Sequence, residues 1–266
     1  MKILVIGDPH GFYRYKKFIF KDVDLILVTG DLGVATVARK WHFDNIKRKQ
    51  KGLLELEKDS KFIKKVHMEI HDSTLKVVRI LSKYAPTYSL QGNVEILTIS
   101  QVKEDKKKYG FKIPITREVI DKMKNFHLAK NIIRNIDGLR IGFLEYFIDT
   151  SWVRDFSPGD YGKKMKGAME ETSNAKKILK RFGKVDILVC HQPPYGILDK
   201  VGKKYNPPKK WIGLHAGSKT ILDYIKKYQP KYVLCGHIHE AKGRENIGKT
   251  TVINAGCCGN YVVLDI

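Results

Sequence analysis

Lys2-Ile3-Leu4-Val5-Ile6-Gly7-Asp8-Pro9-His10 sets the pattern for the whole chain: an apolar run, a glycine, then Asp and His two positions apart. Aliphatic residues without alternation read as a strand buried on both faces, and Gly-Asp marks its end. The same order recurs downstream. Leu25-Ile26-Leu27-Val28-Thr29-Gly30 runs into Asp31, Tyr88-Ser89-Leu90-Gln91-Gly92 into Asn93, and Asp186-Ile187-Leu188-Val189-Cys190 into His191. Tyr232-Val233-Leu234-Cys235-Gly236 then leads to His237 and His239. Polar residues just past strand ends are where an α/β protein builds a site, because those ends converge at one sheet edge.

Outward from these runs, the pattern predicts strands at Lys2–Ile6, Leu25–Thr29, Thr87–Leu90, Arg140–Leu144, Asp186–Val189, Tyr232–Cys235, Thr250–Asn254 and Tyr261–Leu264. Helices are predicted at Tyr13–Phe20, Ala38–Leu56, Lys61–Lys83, Arg117–Asn125, Ser173–Phe182 and Lys219–Tyr228, the last three from apolar residues spaced by three and four. The expected fold is α/β: two facing mixed sheets flanked by helices, a four-layer α/β/β/α sandwich. Residues 1–266 read as a single domain, since the polar set draws on both halves. Two long helical patterns between Asp31 and Asn93 read as a helical insertion over about 38–83. A basic segment over about 101–131 holds Lys103, Lys106, Lys107, Lys108 and Lys112; either stretch suits a lid, a partner surface or a solvated face.

Two Asp, one Asn and four His form a mixed oxygen and nitrogen donor set suited to two first-row divalent metals. In extended backbone Asp8 with His10, and His237 with His239, project to the same side, so each pair can grip one ion. Asp31 can bridge two ions through its two oxygens. Such a pair of ions shares a hydroxide and clamps an in-line phosphoryl displacement, so the expected reaction is phosphate-ester hydrolysis with no Ser or Cys nucleophile. A single Asp-x-His after a strand is commonly an ordinary turn; five such pieces in one chain are not.

Asp8-Pro9-His10, Gly30-Asp31, Gly92-Asn93-Val94-Glu95, His191 and Gly236-His237-Ile238-His239 resemble, in order, the motifs of the calcineurin-like metallophosphoesterases. His191–Gly196, His215–Ser218 and Gly236–Gly259 resemble the small cytosolic phosphodiesterase branch. The resemblance implies one metal on Asp8, His10, Asp31 and His239, and a second on Asp31, Asn93, His191 and His237. It also implies two divalent transition-metal ions from Mn, Fe, Zn, Ni or Co, with Mn the first choice. Catalytic roles fall to Asp31 and Asn93. The chain departs from the family at Val94, where most members carry the His that protonates the leaving oxygen; such help is worth about 100- to 10,000-fold. His215, in the Gly-rich stretch before Lys219–Tyr228, is the candidate replacement, alongside a capping or packing role. Glu95 retains the carboxylate that orients the missing imidazole, and here suits a turn cap. Tyr195 and the backbone near Gly11 are weaker candidates for phosphate contact.

A formal charge of +22, from 50 basic and 28 acidic residues, attracts polyanions at long range. The excess is spread along the chain, and Lys-rich usage also marks proteins of hot environments. A phosphodiester, nucleotides included, is the expected substrate; nucleic acid and a second copy of the chain are further partners left open. No run approaches the roughly 20 apolar residues that span a bilayer, and Ile3–Ile6 is too short for a secretory core. The expectation is a cytoplasmic protein with no membrane partner. Cys190, Cys235, Cys257 and Cys258 lack Cys-x-x-Cys spacing. Three readings remain: a phosphodiesterase, a nuclease using the same centre, and a metal-binding scaffold whose catalysis has lapsed.

Overall fold

The computed structural model describes residues 1–94, 99–156 and 161–266. Its first sheet takes strands β1 (Lys2–Ile6), β2 (Leu25–Val28), β3 (Thr87–Ser89), β4 (Phe126–Leu128) and β11 (Tyr261–Asp265), in the order β11-β1-β2-β3-β4. The second takes β5 (Ile132–Ile136), β6 (Leu139–Leu144), β7 (Ile187–Cys190), β8 (Tyr232–Cys235), β9 (Gly243–Ile247) and β10 (Thr250–Asn254), in the order β5-β6-β7-β8-β10-β9. Parallel pairs form the interior of each sheet; β11, β5 and β9 pair antiparallel at edges.

Alternation along the strands divides the core into layers. Ile3 and Val5 of β1, with Leu25 and Leu27 of β2, meet Ile141, Phe143, Ile187, Val189, Leu234 and Ile253 of the second sheet. Their neighbours Leu4, Ile6, Ile26 and Val28 point the other way, onto Leu75, Val77, Val78 and Leu81 of helix α2 (Ser60–Leu81). Leu188, Cys190, Val233 and Cys235 face helices α6 (Tyr161–Phe182) and α7 (Lys219–Tyr228) through Leu179, Phe182, Ile221 and Ile225. The result is the expected four-layer sandwich. Continuous apolar runs are needed because both faces of the central strands are covered.

Several boundaries differ from the expectation. Tyr13–Phe20 is a 3-10 turn only over Lys17–Phe20. Phe12, Tyr15 and Phe20 pack edge to face along this segment and Tyr84 stacks on Phe20 at 3.9 Å, so tertiary packing overrides helical propensity. Helix α1 (Thr36–Gln50) stops short of Leu56 because Gly52, at φ 68°, closes it: Leu53 N donates to Arg48 O and Gly52 N to Lys49 O, a Schellman stop. Helix α4 (Thr116–Ile120) yields early because Phe126 is needed in β4. Two further helices, α3 (Ile99–Tyr109) and α5 (Thr150–Phe156), were not expected, and α6 begins well before Ser173. No helix among the described residues is long and apolar enough to cross a membrane.

Asp149 ties α5 to α7. One carboxylate oxygen accepts from Ser151 N at 3.0 Å and Ser151 Oγ at 2.9 Å; the other accepts from Ser218 Oγ at 2.7 Å and Thr220 N at 3.4 Å. Ser218 itself caps α7 by accepting from Ile221 N. Asp149→Ala is expected to cost about 2–4 kcal/mol in urea unfolding. Burial pushes this carboxyl up, but the bonds from Ser151, Ser218 and Thr220 outweigh it and hold it below the ordinary value. The stabilisation is therefore present above about pH 4 and lost as pH falls through the folded value. The gap between wild type and variant should narrow in acid; a pH-independent gap would assign the loss to packing.

Candidate metal centre

Each of the seven polar residues is held by the strand end that precedes it. Asp8 follows β1 and is fully buried; Thr29 Oγ1 donates to its Oδ1 at 2.6 Å and His237 N to its Oδ2 at 2.5 Å. Burial pushes the Asp8 carboxyl up, yet the facing His191, His239 and His10 hold it well below the usual range. Asp31 accepts from Val94 N on Oδ1 at 2.8 Å, leaving Oδ2 at 3.6 Å from both His10 Nε2 and His191 Nε2. His10, Asp31 and His237 adopt φ of 45°, 46° and 63°. Left-handed backbone at non-glycine residues is costly, and its recurrence at three of seven positions marks a site that the surrounding fold over-determines.

The seven fall into two groups that meet at Asp31. In the first, ligand atoms of Asp8, His10, Asp31 and His239 all lie within 4.8 Å of one another. His10 Nε2 is 3.1 Å from His239 Nε2, which is 3.3 Å from Asp8 Oδ2. In the second, Asn93 Oδ1 is 2.8 Å from His191 Nε2 and 3.0 Å from His237 Nδ1.

This arrangement keeps Asp8 with His10 in one group, as expected, and corrects the expectation of a shared ion only for the other two-apart pair. His237 and His239 separate, the first to Asn93 and the second to Asp8 and His10. Neither pair lies in extended backbone: His10 and His237 are left-handed and His239 opens a 3-10 turn.

The donor set fits divalent metals on its own chemistry. His191 Nδ1 is 3.0 Å from the Thr29 carbonyl, which can only accept, so Nδ1 carries the proton and Nε2 offers a lone pair. That lone pair faces the Asn93 carbonyl, an opposition that a cation between them relieves. Burial pushes His237 well below its ordinary value, leaving it neutral as a ligand must be. Burial also pushes His239 down, but its contacts with Asp8 and Cys257 raise it to about 10, so positive charge is favoured there.

Other expected residues stand further out. His215 Nδ1 lies 2.6 Å from Asp199 Oδ1, and Asp199 Oδ2 accepts from Gly196 N and Gly217 N, each at 2.9 Å. Tyr195 packs on His215 at 5.5 Å. The following Ala216–Ser218 line a small recess with Tyr146, Trp152, Gln192 and His237, so His215 adjoins the wall of the centre. The backbone near Gly11 does not suit phosphate contact. His10 N, Gly11 N and Phe12 N donate to Asp31 O, Leu32 O and Pro9 O, and none is spare. Glu95 lies outside the described residues.

Residues not singled out from sequence also shape the centre. Thr29 holds both Asp8 and His191; its position two before Asp31 in the strand end was the available signal. Tyr146 packs 5.6 Å from both His191 and His237, and Trp152 6.0 Å from His237. No sequence signal marks either.

With this geometry, the chain belongs to the calcineurin-like phosphoesterases, whose family profile matches residues 1–241. It is 31% identical to an uncharacterized protein of Methanocaldococcus jannaschii over 96% of this chain and 87% of that one. A UPF0046 protein of Caenorhabditis elegans is 35% identical over 29% of this chain and 24% of its own length. For the human metallophosphoesterase domain-containing protein 1 the identity is 39%, over 28% and 21%. The chain thus spans under a quarter of these two animal relatives. A solved structure superposes at TM-score 0.57 with 17% identity, covering 99% of this chain and 94% of that one, which is a likeness of fold.

Proposed function

We propose that residues 1–266 form one catalytic unit that hydrolyses phosphodiesters at a two-metal centre. Asp8, His10, Asp31 and His239 would hold one ion, and Asp31, Asn93, His191 and His237 the other. The observation that carries this reading is Asp31 Oδ2, equidistant at 3.6 Å from one imidazole of each group. Two bound divalent ions supply an acidified water and stabilise charge on the displaced oxygens. The chain's own contribution is placement: Thr29 fixes the His191 tautomer and steadies Asp8, while Val94 N orients Asp31 so that Oδ2 faces both groups. Mn is the first metal to load. Four free cysteines suit a reducing compartment such as the cytoplasm.

Preference for diesters follows from Val94. With an aliphatic side chain where an imidazole would protonate the leaving oxygen, esters with poor alkoxide leaving groups lose most. His215, held by Asp199, is the nearest candidate for that proton, and its neighbour Ala216 lines the recess beside His237. After metal stripping and Mn reloading, bis-p-nitrophenyl phosphate should turn over faster than p-nitrophenyl phosphate. Val94→His should raise turnover of an alkyl monoester such as glycerol phosphate about tenfold or more while changing that of p-nitrophenyl phosphate, whose leaving group departs without protonation, less. Equal gains on both monoesters would remove the argument from the missing acid. Absence of any metal-dependent turnover, with two ions bound, would leave the scaffold reading.

A further inference from the structure

An open cleft of about 760 Å³ runs between α1 and the loop 205–210, and it is built from cations and aromatic rings. Lys47, Lys209 and Lys210 line it, are exposed, and have no carboxylate within ion-pair distance among the described residues. Asp44, the acid in its wall, is paired with Lys40 at 2.9 Å and also lies in the field of Lys47, so the wall keeps a net positive charge that Lys209 and Lys210 extend. Arg39 sits between two rings, its Cζ 5.4 Å from Phe43 and 5.7 Å from Tyr205, and donates to Tyr205 O at 3.0 Å. Two contacts to Tyr205 fix the guanidinium in the wall, with donors left for an anion.

Tyr205 connects this cleft to the candidate metal centre. Its ring meets His239 edge to face at 5.3 Å, and its hydroxyl lies 3.2 Å from Cys257 Sγ. A substrate with its scissile phosphate at the centre would therefore have its flanking portion directed over Tyr205 toward α1. Cations at several points along the cleft call for repeated phosphates, and rings among them call for planar groups. Those two demands together describe single-stranded nucleic acid, where a basic groove follows the backbone and aromatic side chains stack the bases. A small diester would leave these lysines without a partner.

We propose that the α1–loop cleft binds the strand of a single-stranded oligonucleotide whose phosphodiester is cut at the adjacent centre. The proposal rests on the phosphodiesterase reading and extends it to a substrate class. The test compares the Mn-loaded protein with a Lys47→Ala/Lys209→Ala/Lys210→Ala variant. Substrates are bis-p-nitrophenyl phosphate and a short fluorescein-labelled single strand, as RNA and as DNA, with anisotropy reporting binding. The ratio of kcat/KM on the oligonucleotide to that on the small ester should fall at least about tenfold in the variant. The slope of log affinity against log salt should become shallower by about two. Because the small ester is measured on the same preparation, misfolding moves both numbers and leaves the ratio alone.

Oligonucleotide binding and cleavage that are the same in both proteins would overturn the cleft. So would small-ester turnover by a wild type that neither binds nor cuts the strand, and that outcome would leave the phosphodiesterase reading standing. Salt-sensitive binding lost in the variant, with no hydrolysis of either substrate by the wild type, would support the cleft and sink the phosphodiesterase reading.

Discussion

Asp31→Ala is expected to reduce metal-dependent diester hydrolysis by about 1,000-fold or more and to lower the number of ions retained after gel filtration from two to one or none. The size of the effect comes from position. Asp31 Oδ2 stands 3.6 Å from both His10 Nε2 and His191 Nε2, one imidazole of each donor group. Truncation also frees Val94 N, which donates to Oδ1. Asp31→Asn separates the two contributions, since the amide keeps the shape and an acceptor but loses the charge. It should fold with wild-type cooperativity and still lose most activity. Two tightly held ions and an unchanged rate in Asp31→Ala would refute the bridging role.

Gly236→Ala should be nearly as damaging, although it adds only a methyl group. A Cβ at residue 236 would collide with Asp8 Oδ1 and stand 2.6 Å from both Asp8 Cγ and Oδ2. Neither side can yield cheaply. Gly236 N is bonded to His191 O at 2.9 Å, and Asp8 is gripped by Thr29 Oγ1 and His237 N. Gly92→Ala meets the same obstacle at Asp31, with its Cβ 2.6 Å from Asp31 N and against Oδ1. Each substitution should cost about 1–3 kcal/mol in unfolding and, by displacing a ligand carboxylate, about 100-fold in turnover. The control is Gly162→Ala, where an added Cβ meets nothing within 4 Å. Wild-type turnover by Gly236→Ala would show that the Asp8 carboxylate tolerates displacement.

These glycines explain why the motifs can be read from sequence. Gly30-Asp31, Gly92-Asn93 and Gly236-His237 pair a functional residue with the glycine that lets another ligand pack against the backbone beside it. Gly30, for its part, lies where a Cβ would stand 2.7 Å from His191 Nδ1. The buried strands were equally legible, because coverage on both faces demands uninterrupted apolar residues. Two further features carry local signals of their own. Gly52 stops α1, and Asp137-Gly138, at φ 47° and 81°, turns β5 into β6. Strands β5 and β9 themselves read as Ile-Ile-Arg-Asn-Ile and Gly-Arg-Glu-Asn-Ile and are strands because a neighbour offers an unpaired edge.

By itself, the sequence determined the family, the layered α/β architecture and the identity of the polar residues at the strand ends, since burial and turn geometry act on neighbours along the chain. Tertiary structure alone decided how those residues divide. His237 and His239, two apart in sequence, part company because one is left-handed and the other opens a 3-10 turn. Asn93 reaches His191 across 98 positions because β3 and β7 end at the same edge of facing sheets. The same holds for the cleft beside the centre: α1 and the loop at Tyr205 are 166 positions apart at the Arg39 contact, and only the packing of the folded chain joins their charges into one surface.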